Sequence, residues 1–427
     1  MSARTLQFTV LASALLAVLP ASAQSLLVRG ATVHTGTAQG TLQHADVLVE
    51  NGVVRAIGNA LAAPAGVPVV EAGGKPLTPT LFGGVSELGA EEVSGVEDTA
   101  DARLRLAQQP ARPEFDLTLA FNPDSMLLPV ARADGIGFSA LAPNAGGSFL
   151  AGQGAVIATD GYTAPQASRQ LYLSLGGQAS SQSGQSRAAQ WMLLAQMVDE
   201  ARGLIPPTSP HALLTPAGRK ALSGFLAGQG RVMVRVDRAA DITQLLDWAA
   251  REKVQVGIVG GAEAWKLAPK LAAAKVPVFV ETLGNLPGSF DRLGARPDAA
   301  ALLARDGVAV SFMLAGDGAH NARKLRQSAG NAVAQGLPWD AAFAGLTSVP
   351  AKALGVEGRF GSIAVGQRAD LVLWDGDPLD VAHVADRLWL GGVEHELRSR
   401  QTELRDRYLA PAGALPRAYP QPARRAD

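Results

Sequence analysis

The feature that most constrains this chain is a recurring unit in its middle. Short apolar, mostly β-branched runs at residues 137–142, 231–236, 254–259, 276–280 and 308–312 are each too brief to be helices. Apolar runs of this length with no polar alternation mark strands buried on both faces, which is how parallel sheets are built. Between them lie stretches with helical spacing, including 187–204, 242–253 and 262–275. Repeated strand–helix units over residues 80–355 predict an α/β fold, a (β/α)8 TIM-type barrel, with a doubly wound open sheet as the rival on pattern alone.

The flanks read differently. Residues 26–33, 45–50 and 53–58 are strands, the last two joined by Asn51-Gly52, a strong two-residue hairpin signal. Residues 361–375 and 387–393 are β again. Neither flank has enough strands to be stable alone, so the two are expected to combine into one small β-sandwich from residues 24–79 and 356–400. Residues 401–427 form a helix and a Pro- and Arg-rich tail, expected to be disordered from about Pro411.

The ends and composition bound the setting. Arg4, an apolar run from Phe8 to Leu19 and Ala21-Ser22-Ala23 read as a signal peptide cleaved near Ala23. The run is shorter than the roughly 20 apolar residues a membrane span needs. The mature chain is therefore expected to be exported, periplasmic or secreted, with no membrane anchor. With no cysteine there are neither disulfides nor thiolate metal sites. A net charge of zero gives no basic face for nucleic acid.

These pieces in this order resemble the amidohydrolase superfamily, in its imidazolonepropionase-like branch. The resemblance is carried by Leu77-Thr78-Pro79 as the lead into the first barrel strand and by Thr347-Ser348-Val349-Pro350-Ala351 running on to Leu354-Gly355. It is carried also by the stretch 361–378, with its Ala369-Asp370-Leu371-Val372. The resemblance implies a hydrolase of non-peptide C–N bonds using zinc or another divalent ion held by histidines, a carboxylated lysine and an aspartate at the strand ends. Carried over position by position, the first two histidines fall at Val85 and Glu87 and the lysine at Ala158. The later histidines fall at Arg235 and Gly260, and the aspartate at Asp317. Valine and alanine offer no lone pair, and a fixed guanidinium repels a metal.

Of six histidines only His320, close after Asp317, stands near the expected mouth, where it is a candidate base. The others show no ligand spacing. No bound metal or other cofactor is therefore expected. Arg235, flanked by Glu87 and Asp317, is expected to replace the cation, since losing a metal would otherwise leave a buried carboxylate uncompensated. A rival set of oxygen ligands, Glu87, Asp237, Glu281 and Asp317, would suit magnesium, calcium or manganese.

Gly257 to Gly261 matches neither a dinucleotide nor a P-loop fingerprint, and no Gly-x-Ser-x-Gly elbow occurs. The polar loop 179–186 is expected either to cover or flank the mouth or to be a plain surface linker before the next helix. Three readings follow. The chain is a pseudoenzyme acting as a binding or scaffolding subunit, alone, as a homo-oligomer or beside an active paralogue. Alternatively it is a C–N hydrolase using Asp317 or His320 with Arg235, or a small-anion binding protein.

Overall fold

The computed structural model describes residues 25–104, 111–144, 148–165, 168–284, 287–316 and 318–409. The segment read as a signal peptide, the tail beyond residue 409 and Asp317 lie outside the described residues.

One sheet joins the two flanks. Its strands are β1 (Leu26–His34), β2 (Thr41–Glu50), β3 (Val53–Gly58), β4 (Val69–Glu71), β5 (Pro76–Pro79), and then, far along the chain, β14 (Leu371–Trp374), β15 (Ala385–Leu390) and β16 (Val393–His395). The order is β16-β15-β14-β5-β1-β2-β3, with β4 on β1. The β2–β3 turn is the Asn51-Gly52 pair, both residues at positive φ (52° and 77°). That backbone twist matches the flanking strands. β5 sits between β1 and β14, so the late strands extend the early ones.

The second sheet is a nearly closed eight-strand barrel, ordered β6 (Leu81–Ser86), β7 (Ile136–Leu141), β8 (Leu150–Ala158), β9 (Gln170–Ser174), β10 (Arg231–Val236), β11 (Val256–Gly260), β12 (Val278–Val280) and β13 (Val310–Phe312). The open edge is bridged through one turn. Gly345 carbonyl accepts from Ser311 Oγ of β13, and Leu346 carbonyl accepts from Phe82 N of β6.

Alternation along β10 shows how the strands are buried on both faces. Val232, Val234 and Val236 pack outward under the helices. Met233 turns inward onto Phe82, Val85, Tyr172, Val259 and Phe279. Each such large apolar side chain contributes roughly 1.5–3 kcal/mol by leaving water.

The structure departs from a regular (β/α)8 pattern at one strand. β8 runs antiparallel to both β7 and β9, so seven strands share one direction and the eighth is reversed. The link from Leu141 to Leu150 is shorter than the dozen or so residues a parallel crossover requires, and the chain simply turns back.

Candidate functional site

The carboxyl ends of the co-directional strands converge on a mouth. There a cavity of about 160 Å³ is lined by Asn144, Ser174, Gln178, Gln182, Arg235 and Asp237, with Asp291 at its side. A smaller chamber of about 20 Å³ shares Asn144, Ser174 and Arg235 with it and is walled by Val85, Tyr172, Met233 and Val259. The polar loop contributes directly: Gln178, Ala179 and Gln182 line the larger cavity, as the sequence led one to expect of this segment.

Strand register aims Arg235 at the mouth. It pairs with Ser174 of β9 and Val259 of β11 and shares its face of β10 with Met233. Its side chain is exposed there, and among the described residues its guanidinium makes no ion pair and no hydrogen bond. The neighbouring arginines differ. Arg187 binds Asp241 at 3.2 Å and also Asp291, whose other oxygen accepts from Gly177 N at 2.6 Å. Arg292 binds Glu281 at 2.8 Å.

Three groups around Arg235 feel its charge. Glu87 accepts from Asn144 Nδ2 at 3.3 Å. Burial pushes its carboxyl above the ordinary carboxylate value, against the pull of a backbone hydrogen bond, of Arg235 and of Asn144. Asp237 is raised too, again chiefly by burial, although Ala262 N donates to its Oδ1 at 3.1 Å and Arg292 and Arg235 lie near. Burial also pushes the Tyr172 phenol up. That hydroxyl has no hydrogen-bond partner among the described residues, and the residue is only 5% exposed.

The residues named from the sequence separate into groups. Val85, buried at the end of β6, and Arg235 both line the smaller chamber. Glu87 follows β6 and interacts with Arg235 through space, but among the described residues the two form no ion pair. Gly260 ends β11 at φ +100°, and a Cβ there would lie 2.8 Å from Asp237 Oδ1; its smallness makes room for that carboxylate.

Ala158 is a correction. Because β8 is reversed, its last residue lies opposite Phe138 near the start of β7, at the far end of the barrel from the mouth. His320 is not a wall of either mouth cavity: its Nε2 lies 2.9 Å from the Glu92 carbonyl and its Nδ1 3.8 Å from Glu91.

Of the oxygen-ligand set Glu87, Asp237, Glu281 and Asp317, the last lies outside the described residues. Glu281 is committed to Arg292, and among the described residues no three His, Asp or Glu side chains are placed to hold a metal ion. The donors lining the two mouth cavities are amides, a hydroxyl, a phenol, the Arg235 guanidinium and the carboxylates of Asp237 and Asp291, the latter engaged by Arg187.

Sequence reasoning missed Asn144, Tyr172 and Asp291. Asn144 and Asp291 sit on loops with no motif. Tyr172, a lone aromatic with a polar tip inside an apolar strand, was the one available signal.

The profile of the amidohydrolase family matches residues 266–399. The chain is 26% identical over 178 residues to the amidohydrolase tasK of Hapsidospora irregularis; the match covers 41% of this chain and only 18% of that relative's length. Among solved structures, an amidohydrolase from Thermotoga maritima superposes with a TM-score of 0.76 at 25% identity, over 87% of this chain and all of that one. A zinc-bound adenosine deaminase from Xanthomonas campestris shares the fold (TM-score 0.52, 17% identity, 87% and 92% of the two chains). Sequence, strand order and the sheet built from both flanks together are similar to those of the amidohydrolase superfamily.

Proposed function

We propose that this chain is an exported pseudoenzyme of the superfamily, of the imidazolonepropionase-like type, whose barrel mouth binds a small molecule and no longer carries a metal-dependent hydrolytic centre. One observation supports this above the others. Where ligands to a metal would converge, the inward side chains are Val85, Tyr172, Met233 and Val259, topped by an Arg235 that forms no ion pair with a carboxylate among the described residues. An unpaired guanidinium at that point opposes a second cation by direct repulsion and favours an anionic group on a ligand. Export rests on the signal-like residues before Gln24.

The test is elemental mass spectrometry on the purified mature protein, paired with thermal melts in added zinc and manganese. A ligand that binds only the folded state raises Tm. The expected result is sub-stoichiometric metal and no rise with either ion. A stoichiometric divalent ion, or metal-dependent turnover of an amide or imine substrate, would return the protein to the metallohydrolases.

A further inference from the structure

The larger mouth cavity carries both signs of charge. Arg235 presents a guanidinium whose five N–H donors are unused among the described residues. Asp237, on the same cavity wall, accepts from Ala262 N at its Oδ1. Its other oxygen takes no hydrogen bond among the described residues and is not sealed away from solvent. Nearby acids do not fill these roles: Asp291 is held by Arg187 and Gly177, Glu281 by Arg292, and Glu87 turns to Asn144. Two polar atoms reinforce the picture of an unfinished site. Tyr172, beside Arg235 on the smaller chamber, has a buried hydroxyl, and Gln182, on the larger cavity, a buried Oε1, and neither atom has a hydrogen-bond partner among the described residues. A buried polar atom left unpaired costs free energy that a bound ligand would recover.

We infer that this cavity takes a small zwitterion of amino-acid size, its carboxylate on Arg235 and its ammonium on Asp237. The inference rests on the binding role proposed above and names its ligand class. Charge sets the class: a simple anion would meet Asp237 as well as Arg235, and a simple cation would meet Arg235, whereas a dipolar molecule satisfies both. A cavity volume of about 160 Å³ gives room for a ligand of amino-acid size. Hydrogen-bonding capacity is in place, since Asn144, Ser174 and Gln178 line the same space.

The experiment is thermal melting and calorimetric titration of the mature protein at pH 7, with glycine, alanine and serine as zwitterions and with acetate and ethylamine as single-charge fragments. At least one amino acid is expected to raise Tm in a concentration-dependent way while neither fragment does so at equal concentration. Arg235→Gln and Asp237→Asn are each expected to weaken that binding by on the order of tenfold or more. Arg235→Lys, which keeps charge but loses the fork, should fall between. Melts without ligand check that the variants fold. No shift with any amino acid, or acetate binding as well as alanine and indifferent to Asp237→Asn, overturns the inference. The binding role fails separately: a protein that binds alanine yet holds stoichiometric metal and turns over substrate would leave the ligand class standing and remove the pseudoenzyme reading.

Discussion

Burial works against the charge on Glu87, and the sign of its effect on stability follows. Its folded-state pKa lies above the ordinary 4.5, with desolvation the largest cause. The stability this carboxyl contributes is therefore fully present below its unfolded value and is lost as pH rises through the raised folded value. Glu87→Gln removes the ionisation. The variant is expected to match the parent near pH 4 and to exceed it in stability at pH 7. Thermal melts from pH 4 to 8 check this; a variant less stable than the parent at pH 7 would mean the carboxylate is held charged by Arg235. At this scale the sequence was legible where a strand ends. Val85, Glu87 and Arg235 were identified by carrying the ligand positions of the family the chain resembles onto its strand ends. Tyr172 and Asp291 were not, because their importance comes from neighbours more than 50 residues away, such as Arg235 beside Tyr172 and Arg187 beside Asp291.

The element that sequence reasoning misjudged is β8. All nine of its residues are buried, so no alternation distinguishes its faces, and side-chain pattern carries no information about strand direction. Its neighbours were clear: 231–236 was read to the residue, and the strands at 137–142, 254–259, 276–280 and 308–312 were placed within two residues at each end, because β-branched runs buried on both faces leave little choice. The reversal of β8 makes one contact critical. A Cβ on Gly154 would lie 1.9 Å from the Leu141 carbonyl oxygen of β7, a backbone atom that cannot move without breaking the pairing. Gly154→Ala is expected to destabilise by about 3 kcal/mol, at the upper end of overpacking costs, whereas Gly95→Ala, with open space around it, should stay within about 0.5 kcal/mol of the parent. Urea unfolding of the two variants decides it; equal midpoints would mean β7 and β8 do not pair in this register.

Over the whole molecule, the two ends of the chain depend on each other through a few buried contacts. Trp374 of β14 is fully buried, and its Nε1 donates to Thr78 Oγ1 of β5 at 2.8 Å. Its ring fills the space over Gly135, where even a methyl group would come within 2.4 Å of it. On its other side the Arg326 guanidinium lies 4.5 Å from the ring centre and donates to the carbonyls of Pro378, Asp380 and His383. Residues 371–395 thus close the first sheet and hold a barrel helix, Lys324–Ala334, at the same time. A chain ended after Gly355 would leave β5 as an exposed edge and Arg326 buried without acceptors. Such a chain is expected to lose its cooperative melt and its soluble yield, while one ended after Arg398 should keep both. Far-UV circular dichroism and melting of the two chains make the comparison. A cooperative transition in the shorter one would show that the barrel stands without the late strands, and that the sheet shared between the two flanks is an addition to this fold rather than a condition of it.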